Sequence, residues 1–255
     1  EHHWDFRDGS SDLGALANNQ LQGEVGDVNL QITAWSSSLH NNVAACIDSD
    51  NKDMCIQRAT LKRYTTGLGA INRDERNDDP NHSVDNNNQD YDMILLSFSE
   101  SVSLSKLYTG WNYSYNGNTL ASQGTAGASV LAWNGGNTDP NIPFSSTDTW
   151  NDIVAGGWSI IESDTKRSGS FNDSNGKALD ILPVASGSLY SKFWLVGAAH
   201  SVLRNAGVGD HLTDHIKIAG ITFAKSATAT GQVNAPGALA LLLGCIVFMV
   251  ARRKS

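Results

Sequence analysis

Along much of the chain apolar and polar residues alternate one by one. Val28, Leu30, Ile32 and Ala34 fall between Asn29, Gln31, Thr33 and Trp35, a period of two that puts one apolar face on a core. Residues 59–66, 93–98, 102–111, 129–133, 158–162, 192–197 and 216–223 carry comparable apolar or alternating runs and predict further strands. Between them lie polar segments rich in turn formers, Asn112-Tyr-Ser-Tyr-Asn-Gly-Asn118, Asn134-Gly-Gly-Asn-Thr-Asp-Pro140 and Asn172-Asp-Ser-Asn-Gly176, and Asn-Gly is a preferred hairpin pair. Short helices are expected only at 10–19 and 145–154. Eight or nine strands with irregular polar loops predict an all-β fold, a two-sheet β-sandwich of jelly-roll type. No repeat of solenoid length is present, which disfavours a propeller or β-helix.

Composition agrees with this pattern. Among the 255 residues are 28 Ser, 23 Asn and 24 Gly, a loop-and-turn composition suited to an exported β protein. Acidic residues outnumber basic ones by 26 to 18. Three of the basic residues are Arg252, Arg253 and Lys254; without them 15 stand against 26, a balance of −11. A field of that sign excludes nucleic acid as a partner, because phosphate neutralisation needs a cationic face. Of the three cysteines, Cys46 and Cys55 enclose eight polar-rich residues and are expected to form a disulfide in an oxidising compartment. Cys245 lies in an apolar run and is expected to stay a thiol.

That run, residues 235–250, has no charge and is followed by Ala-Arg-Arg-Lys-Ser. It is near the short limit of a membrane-spanning helix. The basic end is expected to remain cytoplasmic, which places the preceding chain outside. The expected organisation is therefore an exported β-sandwich domain over residues 1–224, a polar linker over 225–234 and a C-terminal transmembrane tail over 235–255. The first residues, Glu1-His-His-Trp-Asp-Phe, lack the basic and apolar stretches of a signal peptide, so Glu1 is expected to follow a cleaved leader.

The tail Val233-Asn-Ala-Pro-Gly-Ala-Leu-Ala-Leu-Leu-Leu-Gly244, its apolar continuation and the Arg-Arg-Lys end resemble the PEP-CTERM sorting signal of exosortase-dependent surface proteins in Gram-negative bacteria. Asn234, Ala235 and Pro236 stand where that family has Pro-Glu-Pro, so only the second proline matches. Upstream, Gly67-Leu-Gly-Ala-Ile-Asn-Arg73, Pro80-Asn-His-Ser-Val-Asp-Asn86, Asp92-Met-Ile-Leu-Leu-Ser-Phe98, Thr109-Gly-Trp111 and Phe193-Trp-Leu-Val-Gly197 resemble the exported bodies that carry such tails. The resemblance implies insertion of the tail in the inner membrane, processing by an exosortase-type enzyme, and residence at the outer surface or in the extracellular matrix. The sorting motif it implies comprises Asn234, Ala235, Pro236, Arg252, Arg253 and Lys254.

Catalytic signatures are absent from the sequence: no Gly-x-Ser-x-Gly, no His-Glu-x-x-His, no phosphate loop and no Cys-x-x-Cys. A non-enzymatic protein is the expectation, with a carbohydrate-binding module or a self-assembling filament or coat subunit as rival roles. Polysaccharide and further copies of the chain are the corresponding partners. The densest polar stretch is 72–92, and Ca²⁺ takes six to eight oxygen ligands on flexible loops. Asp78, Asp79, Asp85, Asn86 and Asp90 form the candidate Ca²⁺ set, against a merely solvated acidic loop. Asp48-Ser-Asp-Asn-Lys-Asp53 starts like an EF-hand but has Lys52 at a ligand position and Asp53 in place of the loop glycine, so it is rejected. Glu1-His2-His3 carries the donors of a square-planar Cu(II) or Ni(II) site if Glu1 is a true amino terminus, with an ordinary flexible tail as the competing reading. His211 and His215 are four apart, but His215 opens a strand-like run and the pair is read as loop residues. The seven Trp are expected mainly in the core, although aromatic platforms also stack on sugars.

Overall fold

A computed structural model describes residues 1–7, 14–37, 55–72, 82–86, 91–116, 119–135, 139–140, 142, 144–145, 147–172, 176–199 and 213–226. Residues Glu1–Lys225 form one compact unit. The elements in chain order are β1 (His2–Asp5), β2 (Gly14–Ala15), a 3-10 turn (Ala17–Asn19), β3 (Leu21–Val25), β4 (Val28–Ser37), β5 (Ile56–Arg58), β6 (Thr60–Tyr64), β7 (Gly67–Ile71), β8 (Val84–Asp85) and β9 (Asp92–Asn116). They are followed by β10 (Thr119–Gln123), β11 (Ala128–Trp133), α1 (Trp150–Ala155), β12 (Trp158–Thr165), β13 (Gly169–Asn172), β14 (Ala178–Pro183), β15 (Ser191–Ala198) and β16 (Thr213–Lys225). The protein is predominantly β, and its strands join in one large antiparallel sheet.

The continuity of that sheet comes from β9. Its first part lies between β4 and β15, with Leu96 opposite Ile32 on one side and Trp194 on the other. Beyond Val102 the same strand exchanges both neighbours, pairing with β16 along one edge and with β14 and then β10 along the other. The expectation had divided this segment into strands at 93–98 and 102–111, then a turn. Ser99, Glu100 and Ser101 instead stay extended, and three register shifts in the β9–β16 ladder supply the bend.

Period-two packing then fixes both cores. Ile94, Leu96 and Phe98 point with Leu30, Ile32, Trp194 and Val196 into the main core, which also receives Leu61, Leu68, Ile216, Ile218, Ile221 and Phe223 from the other half of the sheet. Met93, Leu95, Leu131, Leu195 and Trp35 point the opposite way and meet Phe144, Trp150 and Ile153. α1 covers that second face. Its start is fixed by a capping box in which the Thr149 side chain accepts from the Asp152 amide and the Asp152 side chain accepts from the Thr149 amide.

Helical expectations were only partly met. Within 145–154 the helix begins at Trp150, and within 10–19 the described residues hold a short strand and a 3-10 turn. The amino terminus is a strand: His2 and His3 lie opposite Phe223 and Thr222 of β16, so the backbone that a square-planar metal site would use runs in a β ladder. Cys55 is buried and disulfide-bonded. Its partner, the Cys46 and Cys245 positions, and all of 227–255, including the sorting motif, the apolar run and all of the expected linker beyond Ser226, lie outside the described residues, and Lys225 at the start of that linker ends β16. Among the described residues no helix is long and apolar enough to cross a membrane.

Candidate functional site

The polar chemistry of the described chain converges where β9, β16 and β8 run side by side. On β9 the residues Asn112 and Ser114 turn inward, while Trp111, Tyr113 and Tyr115 share the opposite, half-buried face. Lys217 lies opposite Trp111, His215 opposite Tyr113 and Thr213 opposite Tyr115, which brings His215 and Lys217 of β16 onto the aromatic face. On the other side of β16, β8 sets Asp85 opposite His215.

The aromatic rings touch in sequence. Trp111 and Tyr113 have centroids 4.6 Å apart, and Tyr115 meets the His215 ring edge-on at 4.9 Å. The Lys217 ammonium lies 3.8 Å from the Tyr64 ring centre and 5.6 Å from that of Trp111, a cation–π arrangement that supports a buried cation. Burial pushes the Tyr115 phenol above its ordinary value, and Tyr113 adds to the effect. A strand advances about 3.4 Å per residue, so the strip from Trp111 to Tyr115 spans roughly 14 Å.

Beneath the strip is a buried Ser–His–Asp cluster. The Ser83 hydroxyl lies 3.1 Å from His215 Nδ1 and donates to Asp85 Oδ2 at 3.1 Å, while Nδ1 and Oδ2 are 3.3 Å apart. A nucleophilic relay needs serine and carboxylate on different ring nitrogens. Here both meet Nδ1, so the cluster joins β8 to β16 without setting out a relay. His82, at the entrance to β8, has φ of 50°. Burial, with the Lys62 and Lys217 charges behind it, holds its imidazole below the ordinary 6.5, although Asp85 acts in the opposite direction.

A second polar layer supports the strip from the core side. Asp214 is fully buried and accepts from Ser114 Oγ at 2.8 Å and from the Gly127 amide at 3.1 Å. Asn112 accepts from the Ala126 amide at 2.8 Å and donates to the Ala126 carbonyl at 3.1 Å. These bonds satisfy the inward polar side chains and explain why a stretch with turn composition continues as strand.

Of the candidate Ca²⁺ set, Asp85 and Asn86 are described, and Asp78, Asp79 and Asp90 lie outside the described residues. Asp85 is occupied with Ser83 and His215. Asn86 accepts from the Asp214 amide at 2.7 Å and donates to the Ala199 carbonyl. Among the described residues no group of three or more His, Cys, Asp or Glu side chains is placed to hold a metal ion. His215 is on a strand and buried, and His211 is outside the described residues. Trp35, Trp150, Trp158 and Trp194 are core residues, whereas Trp111 and Trp133 are half-buried. Tyr113, Tyr115, Ser83 and Lys217 had not been singled out from the sequence. Their signal was the alternation Trp-Asn-Tyr-Ser-Tyr, a period-two aromatic row inside a stretch of turn-forming residues.

The chain matches no family model, and neither the curated proteins nor the solved structures include a significantly similar one.

Proposed function

We propose that this protein is an exported, non-enzymatic domain held at the cell surface by its C-terminal tail, and that it binds polysaccharide along the strip of Trp111, Tyr113 and Tyr115. The observation that carries the binding role is the row itself. Three aromatic side chains line one side of a strand at half-burial, braced by the buried His215 and Lys217 side chains of β16. Sugar rings present apolar C–H faces to stack on such rings and hydroxyls to bond with the phenol groups of Tyr113 and Tyr115. The common nitrogen used by Ser83 and Asp85 supports binding without hydrolysis.

In this proposal the two halves of the sheet close over the main core as a jelly-roll-like β-sandwich, and the tail crosses the inner membrane as a helix. Attachment rests on the apolar 235–250 run, its Arg-Arg-Lys end and its likeness to a PEP-CTERM signal. The tail is then a substrate for an exosortase-type enzyme.

A panel of immobilised and insoluble polysaccharides tests the binding role. The full chain is expected to be retained by at least one, and the Trp111→Ala, Tyr113→Ala double variant to lose retention while keeping its circular dichroism spectrum. Equal retention of the two proteins, or retention of neither by any polysaccharide, overturns the reading. Intact mass from cells with and without the exosortase tests the sorting role, and loss of the tail only when the enzyme is present supports it.

A further inference from the structure

A separate pocket of about 220 Å³, lined by none of the residues of the strip, opens between the end of β11, the start of β12 and α1. Its walls include Trp133, Phe144, Trp158 and Ile153, and two carboxylates, Asp148 and Asp152, stand at its rim. Trp133 and Trp158 are register partners across β11 and β12, so both indoles lie on one face of the sheet. Their centroids are 5.8 Å apart with planes at 64°, and Phe144 meets Trp158 at 6.3 Å and 57°. Rings inclined in this way are in edge-to-face or tilted contact, so the indoles and the phenyl ring brace one another where they line the pocket.

The backbone is adapted to hold the Trp133 indole. A side chain on Gly135 would overlap that ring, and Gly157, at φ of 123°, approaches it so closely that an added Cβ would lie 3.1 Å from its edge. The carboxylates are likewise held in position. Asp148 Oδ2 accepts from the Ser145 amide at 2.7 Å, and Asp152 Oδ2 accepts from the Thr149 amide at 3.0 Å and its hydroxyl at 2.8 Å. Among the described residues no lysine or arginine lines the pocket, and neither carboxylate forms an ion pair. The site therefore combines π faces with two negative charges that nothing described beside them neutralises.

We propose that this pocket binds a small organic cation of the methylated-ammonium class. Such a cation has an apolar, weakly hydrated surface that suits aromatic walls. Its positive charge is attracted both by the ring quadrupoles and by Asp148 and Asp152. Its size also fits, since the cavity is smaller than the roughly 300–1,000 Å³ typical of drug-sized ligands. A neutral sugar would meet the same rings but would leave the charge complementarity unused.

The test is titration of the full chain with choline and with tetramethylammonium, followed by tryptophan fluorescence and calorimetry. The neutral isostere of choline, with carbon in place of nitrogen, and neutral monosaccharides serve as comparisons. Saturable binding of the cations is expected, weakened about tenfold in Trp133→Leu and severalfold in Asp148→Asn. The Trp111→Ala, Tyr113→Ala variant is expected to bind them unchanged, which separates this site from the polysaccharide strip. Binding of the isostere as tight as that of choline, binding of monosaccharides in preference to both cations, or no saturable response to either cation overturns the proposal.

Discussion

Asp85 Oδ2 and His215 Nδ1 face each other across the β8–β16 pair at 3.3 Å, with both side chains buried and Ser83 bonded to each. β8 is only two residues long, so backbone bonding alone holds it weakly, and this cluster adds a side-chain tie between it and β16. Replacing Asp85 by Ala leaves two buried polar groups short of a partner. The expected cost is about 1–3 kcal/mol in denaturant unfolding. A role in this cluster alone predicts the same loss in EDTA and in excess Ca²⁺. A loss that appears only with Ca²⁺ present would return Asp85 to the ion-binding role.

His82 gives a pH prediction. Its imidazole is held below the ordinary 6.5, first by burial and then by the Lys62 and Lys217 charges. In the unfolded chain the group takes up a proton near its ordinary value, so between the two pKa values the unfolded state binds more protons. Its contribution to stability is present above about 6.5 and is lost as pH falls below that. His82→Asn keeps a residue that tolerates positive φ and removes the titration. Unfolding measured from pH 8 down to pH 5 should show a shallower fall for the variant, and parallel curves would refute the assignment.

Much of the fold was legible in the chain because burial imposes period two. Val28, Leu30 and Ile32 are buried and Asn29 is exposed, as the alternation required. β11, β12, β15 and β16 fall where apolar runs stood, each within a few residues of its expected limits. Residues 112–116 carry a turn expectation because Asn112, Ser114 and Asn116 are turn formers, and they outweigh the strand preference of Tyr113 and Tyr115. Here Asn112 and Ser114 are bonded to Ala126 and Asp214, partners distant in sequence that no local pattern discloses. The amino-terminal strand was missed for a related reason, since His2 gains its order from stacking on Phe223 at 5.3 Å. Asp85 and Asn86 stand out in the sequence as oxygen donors, and apart from Ser83 their described contacts, to His215, Asp214 and Ala199, come from segments far along the chain that no local pattern discloses.

The turn between β6 and β7 depends on one glycine. Gly67 has φ of 132°, and a Cβ there would come within 2.6 Å of the Ile218 carbonyl oxygen on β16. Gly67→Ala thus meets both a strained backbone and a fixed neighbour. Its cost should exceed the ~1 kcal/mol of an ordinary strand glycine and fall in the range of about 1–3 kcal/mol or more. Because Ile218 adjoins Lys217, the variant is also expected to weaken polysaccharide retention. A variant as stable as the parent would show that β7 and β16 can separate at this point without loss.

The last prediction concerns Cys55, which is buried, disulfide-bonded and next to the start of β5. We expect its partner to be Cys46, because the alternative, Cys245, lies in the apolar run of the tail. Closing so short a loop restricts the unfolded chain by about 2–3 kcal/mol. Cys55→Ser should therefore lower stability by that amount, and a reducing agent should lower the parent to the level of the variant without altering the variant itself. The pairing also has a topological consequence. A bond to Cys46 ties residues just before β5 to the segment after β4, and β5 is the short strand that brings Arg58 opposite Trp35 and the guanidinium 5.2 Å over its ring. Loss of the bond is thus expected to expose Trp35, visible as a red-shifted tryptophan emission, before the rest of the sheet unfolds. Non-reducing peptide mapping decides the partner: a Cys55 peptide joined to Cys245 would remove the loop-closure argument and attach the tail covalently to the β domain.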